Sequence, residues 1–150
     1  MEVYRISRDI YAEALKASGV ASRWNMDEQY VFYTSHSRSL ATVELVVHRA
    51  AIQPAFKYKV MVISIPDDEK LFHQIKISDL PADWRTTNAY PTLQKIGSNW
   101  YKNKTSLVLK VPSVIIPNEY NYVINNRHPD FKEHIKLVRL ENYYWDERLM

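Results

Sequence analysis

The chain has 150 residues, 46% of them hydrophobic and 25% charged, with a formal net charge of +3 and a pI near 9.0. That is enough chain to bury a proper core, and its make-up excludes a disordered tail, a low-complexity tract and a membrane span of roughly 20 apolar residues. Cysteine is absent, which excludes disulfides and thiolate metal sites. In chain order, residues 2–6 read as a short strand, and Ser7 as the cap of a helix from about Arg8 to Lys16. Residues 17–28 are a loop, and residues 30–34 a β-rich strand. Ser35 or Ser37 caps a second helix, which Pro54 stops. A strong strand covers residues 57–65, followed by a turn at Pro66 and a short strand over residues 71–77. Leu80-Pro-Ala-Asp-Trp84 is a turn or short helical piece, and Pro91 opens a helix reaching about Tyr101. Residues 107–111 form a strand ended by Pro112, and residues 117–129 are irregular and rich in Asn. Residues 134–140 alternate as a strand, with a further strand at 142–145. Strands and helices mix without a βαβ rhythm, repeat or linker. The expectation is an α+β protein with a single domain over residues 1–150.

Several function classes lose support at this level. The Lys and Arg residues are scattered, whereas nucleic-acid binders usually gather them on a face or in a run. A nucleic-acid module built on the abundant aromatics stays the alternative from another class, to be tested by a steep salt dependence of binding. The two glycines, Gly19 and Gly97, cannot write G-x-G-x-x-G or a P-loop. A bound nucleotide phosphate must then be held by side chains, for which arginine is best suited. The histidines show no tight metal-ligand spacing, and no G-x-S-x-G elbow occurs. Residues 67–69 are an acidic run in a turn and read as solvated. The opening Met1-Glu-Val-Tyr-Arg-Ile6 lacks the basic-then-apolar pattern of a secretory leader, so a cytoplasmic protein is expected.

Four residues break the patterns around them. Glu44 falls on a helical stripe with Leu40, Val43 and Val47, where an unpaired carboxylate costs several kcal/mol or more, on the order of a small domain's whole stability. Ser113 continues the alternation Leu107, Leu109, Val111 and ends an apolar face in a hydroxyl. Arg23 stands beside Trp24 in a loop, and Tyr33 closes a strand. Taken singly, each has an ordinary explanation: a surface ion pair for Glu44, a turn for Ser113, a solvated charge for Arg23, a core position for Tyr33.

Together they lie in a series of segments running nearly end to end. These are Tyr4-Arg-Ile6, Ser22-Arg-Trp-Asn25, Val31-Phe-Tyr-Thr-Ser35, Ser39-Leu-Ala-Thr-Val-Glu44, Asp79-Leu-Pro-Ala-Asp-Trp84, Gly97-Ser-Asn-Trp100, Val111-Pro-Ser113, Asn121-Tyr-Val-Ile-Asn125, His128-Pro-Asp-Phe131 and Trp145-Asp-Glu-Arg-Leu149. In this series the chain resembles the RES domain, the toxin component of a bacterial toxin–antitoxin family. The resemblance implies an ADP-ribosyltransferase-like fold of mixed sheets with flanking helices. It implies NAD+ as substrate, no separate cofactor and no metal. Family members cleave the nicotinamide–ribose bond and deplete NAD by hydrolysis or phosphorolysis, and some modify proteins with ADP-ribose. The family's functional Arg, Tyr, Glu and Ser fall on Arg23, Tyr33, Glu44 and Ser113, with Arg5 a further pocket residue. The implied roles are Glu44 stabilising the ribosyl cation, Arg23 on the pyrophosphate, Tyr33 against the nicotinamide ring, and Ser113 hydrogen-bonding the dinucleotide. The implied partner is a helical antitoxin with a helix-turn-helix part that blocks the site, forms an oligomer with the toxin, and supplies the only link to DNA. Ala21 and Ser22 stand where the family usually has glycines, another glycine is missing around Met26-Asp-Glu28, and Asn126 replaces a common proline. These departures are expected to reshape the loop holding Arg23.

Overall fold

The computed structural model describes residues 1–48, 53 and 55–149. Seven strands hydrogen-bond in one mixed sheet: β1 (Glu2–Arg8), β2 (Val31–Ser35), β3 (Tyr58–Ser64), β4 (Phe72–Gln74), β5 (Val108–Pro112), β6 (Tyr120–Asn125) and β7 (Lys136–Tyr143). The order across the sheet is β4-β5-β6-β2-β1-β3-β7, and every pairing is antiparallel except β4 with β5. Four α-helices accompany it among the described residues: α1 (Asp9–Ala12), α2 (Arg38–Val47), α3 (Tyr90–Asn103) and α4 (Phe131–His134). The α+β class is therefore as the sequence predicts. No helix among the described residues is long and apolar enough to cross a membrane.

Alternation along the strands divides the apolar side chains between two cores. Phe32 and Ile124 join Val3, Met61, Ile63 and Tyr122 on one face. Val31, Val123, Leu109 and Val111 point to the other, where α3 lays Leu93 and Trp100 against them and Trp24 fills the gap. Each such side chain contributes about 1.5–3 kcal/mol when buried. Leu107 departs from the expected alternation. It precedes β5, accepts the Asn125 amide at 3.0 Å, and packs in the first core rather than beside Leu109.

Tertiary pairing moved several boundaries. The first helix is one turn long because Ser7 and Arg8 stay extended, paired with Lys59 and Tyr58 of β3; Ser7 caps nothing, and Arg8 takes the cap position without a side-chain bond. Ser37, not Ser35, caps α2, its hydroxyl accepting the Leu40 amide at 3.1 Å. That helix ends at Val47, before Pro54, which lies outside the described residues. The stretch expected as irregular contains β6, the partner of both β2 and β5, and the two expected C-terminal strands are one, β7.

Candidate active site

The sheet has a weak seam. β1 pairs with β3 over seven residues and β2 with β6 over five, but β1 and β2 meet only at Tyr4 opposite Ser35. Where they part, a cleft of about 550 Å3 opens. Its floor comes from β1 and β2, one wall from α2, and another from the loop after α1. The α2 wall is the stripe Ala41, Glu44, Leu45 and His48, at helical i, i+3, i+4 and i+7 spacing. Glu44 is therefore not central to the stripe of Leu40, Val43 and Val47: Leu40 is buried beneath the helix, while Val47 is 57% exposed.

Glu44 is half-buried and is fixed from behind. Its Oε1 accepts from Asn121 Nδ2 at 2.7 Å and from Ser113 Oγ at 3.3 Å. No Lys or Arg forms an ion pair with it among the described residues. Ser113 is fully buried, and its oxygen also accepts the amides of Ile115 and Ile116, both at 3.1 Å. Its single proton goes to Glu44, so Ser113 backs the carboxylate and is absent from the cleft lining. Asn121 faces the cleft from β6 and also accepts from the Ser35 hydroxyl at 2.7 Å. The result is a carboxylate held in one orientation by neutral donors, with no cation paired to it among the described residues.

Tyr33 and Arg5 also line the cleft. The Tyr33 hydroxyl accepts the Trp24 amide at 3.0 Å and donates to Asn25 Oδ1 at 2.6 Å. Burial, above all, pushes its pKa well up, so it stays a neutral phenol and presents its ring rather than a base. Arg5 sits over Phe32 and donates to the Tyr33 carbonyl at 3.3 Å, one bond from a group with five donors. Desolvation lowers its pKa, but an arginine keeps its charge through such a shift.

Arg23 is placed differently from Glu44. It is absent from the cleft lining; its guanidinium lies over the Tyr90 ring at 4.6 Å and donates to the Trp84 carbonyl at 3.3 Å. Its neighbour Ser22 does line the cleft. The loop carrying them is held tightly. Asn25 Nδ2 donates to the carbonyls of Val20, Met26 and Gln29, and Gln94 of α3 donates to the Ser22 carbonyl at 3.0 Å. Gly97 lets α3 touch the loop: a Cβ there would stand 1.7 Å from the Trp24 carbonyl oxygen.

The departures from the family pattern are absorbed locally. Ala21 donates to Asp27, Ser22 bridges Asn25, and neither has a positive φ. The left-handed positions here are Gly19 and Glu28, at φ of 76° and 64°. Asn126 donates its amide to the Tyr30 carbonyl at 3.0 Å, a bond proline cannot make. Sequence reasoning about the site missed Asn121, Ser35 and Arg8, all in the cleft lining. The available signal for Asn121 was a polar residue opening the β-forming run Tyr-Val-Ile.

Comparison with known proteins agrees with this architecture. The RES domain family matches residues 2–146. The chain is 30% identical to a protein of Photorhabdus laumondii named Toxin Res, over 100% of this chain and 97% of that one. It is 32% identical to the Prs ADP-ribosylating toxin of a Sphingobium species, over 96% and 91% of the two chains. A second protein named Toxin Res, from Yersinia enterocolitica, is 32% identical over 89% and 86%. The fold matches a chain of the M. tuberculosis MbcT–MbcA toxin–antitoxin complex with a TM-score of 0.67 at 16% identity, over 95% of this chain and 81% of that one.

Proposed function

The chain belongs to the RES domain family, and from that premise we propose that it is the toxin of a toxin–antitoxin pair that cleaves the nicotinamide–ribose bond of NAD+. The observation that carries the reading is Glu44, a charged carboxylate in a cleft, held by Asn121 and Ser113 and paired with no cation among the described residues.

The bond to be broken joins a pyridinium nitrogen to the anomeric carbon. The nitrogen leaves with the electron pair as neutral nicotinamide, so no general acid is required, and positive charge develops on the ribosyl carbon. One carboxylate aimed at that carbon stabilises the transition state, and a partly desolvated cleft strengthens the attraction. Water adds to the carbon and loses a proton to solvent; in phosphorolysis, phosphate takes its place. The Tyr33 ring walls the nicotinamide side, and Arg5 supplies positive charge beside it. Ser113 acts through Glu44 rather than on the dinucleotide. Arg23, bonded to Trp84 and stacked on Tyr90, sets the loop that meets the Tyr33 hydroxyl. No separate cofactor is needed. The protein acts in the cytoplasm, and a helix-turn-helix antitoxin covers the cleft until it is lost.

A second reading, transfer of ADP-ribose to a protein side chain, is favoured by the 32% identity to a toxin named as ADP-ribosylating. The same cation serves both outcomes, and only the acceptor differs. Purified protein incubated with NAD+ should release free nicotinamide with water, phosphate or a lysate protein as acceptor. Glu44→Ala should lower that release at least about a hundredfold. A wild type that releases none with any acceptor defeats the enzymatic reading; an equally active Glu44→Ala defeats the role of Glu44.

A further inference from the structure

We propose that Arg8 grips the diphosphate of the bound dinucleotide, an inference that rests on the NAD+ reading above. Among the described residues two arginines line the cleft, Arg5 and Arg8. They differ in what they have left to offer. Arg5 is engaged with the Tyr33 carbonyl beside the nicotinamide wall. The Arg8 side chain makes no hydrogen bond or ion pair among the described residues, and its Nε is buried without a partner.

Its geometry suits an anion. The guanidinium lies over the Phe56 ring at 3.5 Å and near the Tyr11 ring at 5.5 Å. Stacking uses the faces of the group and leaves the donors, which radiate from its edge, unspent. Arg38 offers the contrast: it stacks on Tyr4 at 4.4 Å, but its edge is filled by a two-pronged pair with Glu141 at 2.8 Å. At Arg8 no such second partner occurs among the described residues. A buried charged donor without an acceptor is costly, and a phosphate oxygen relieves the cost with the two-pronged geometry that arginine favours.

The charge layout of the cleft points the same way. Among the described residues Glu44 is the only carboxylate in the lining. The nearest acid in sequence to Arg8, Asp9, accepts the Ile10 amide at 2.8 Å instead. Arg8 lies four residues along β1 from Tyr4, where the strand meets Ser35 and the Asn121 group, a span of about 13 Å at roughly 3.3 Å per residue. Along β1 the cleft thus runs from the Glu44 carboxylate, past Arg5, to a wholly positive end at Arg8. NAD+ has the same polarity reversed, with a cationic nicotinamide riboside followed by an anionic diphosphate. With two glycines and no phosphate-cradling loop, this chain has to use such a side chain.

The test titrates ADP-ribose, inorganic pyrophosphate, NADP+ and adenosine against wild type, Arg8→Gln and Arg8→Lys, with melting temperatures as the folding control. Arg8→Gln should weaken ADP-ribose and pyrophosphate about tenfold or more and leave adenosine unchanged. Arg8→Lys, which keeps the charge but not the fork, should recover part of the loss. Unaltered ADP-ribose binding by Arg8→Gln overturns the proposal, as does an equal loss for adenosine, which would mean collapsed packing. A loss confined to NADP+ also overturns it, since the contact would then be with a ribose phosphate. If the wild type releases no nicotinamide, the NAD+ reading fails by itself, and the pyrophosphate titration still decides whether Arg8 holds a diphosphate.

Discussion

At the scale of single residues, Asn121 is what fixes Glu44 in the cleft. A carboxylate on a helix can adopt many rotamers, and the 2.7 Å bond from Asn121 selects one. Hydrogen bonds to a charged group are worth about 1.5–3 kcal/mol, so Asn121→Ala should lower kcat for nicotinamide release about tenfold to a hundredfold with little change in KM. Steady-state kinetics on the purified variant decide this; wild-type kcat would show that Ser113 alone positions Glu44. The sequence exposed Glu44, Tyr33 and Arg5 through the family pattern, and all three line the cleft. It could not expose the direction of the Arg23 side chain. That direction depends on Tyr90 and the Trp84 carbonyl, residues more than 60 positions away.

At the scale of elements, the site wall is a loop pressed against a helix. Gly97 is the contact point, and the glycine is needed there for space rather than for backbone freedom. Gly97→Ala should destabilise the fold by about 1–3 kcal/mol, because the Trp24 carbonyl must move aside for the new methyl group. Thermal melting measures the loss, and an unchanged melting temperature would mean that α3 shifts without cost. The same variant should disturb the Ser22 carbonyl bond from Gln94, and with it the cleft edge. Residues 117–129 look irregular because asparagine disfavours strands, yet β6 forms between two partners that satisfy its backbone. Its asparagines are used: Asn121 for Glu44, and Asn125, whose Oδ1 accepts the Arg127 amide at 2.9 Å.

At the scale of the whole molecule, the cleft exists because two well-paired halves of one sheet are joined by a single residue pair, Tyr4 and Ser35. A surface strap spans the same region. Arg38, at the start of α2, pairs with Glu141 of β7, which Arg139 also contacts at 3.0 Å. The hydrogen bond from Arg38, and then that from Arg139, pulls the Glu141 carboxyl down from 4.5 to about 2. Because the folded value lies below the ordinary one, the stability it contributes is complete above about pH 4.5 and lost as the pH falls toward 2. The pair is exposed and screened by salt, so the effect is small. Glu141→Gln should melt slightly below wild type at pH 7, and the gap should close near pH 2 in low salt. A gap that persists there would assign the effect to packing rather than charge.

By itself, the amino-acid sequence determined the α+β class, the strong strands and the capped helix α2, and, through its series of family segments, it singled out Glu44 as the candidate carboxylate. These follow from local periodicity, caps and residue identity, which act over a few positions. Tertiary structure alone decided that β6 is a central strand, that the first helix stops after one turn, and that Ser113 stands behind Glu44. It also decided that Arg8, and not Arg23, faces the cleft. Each of these depends on a partner far away in the chain, whether a strand that satisfies a backbone or a ring that holds a guanidinium, and the residue itself carries no local mark of that partner.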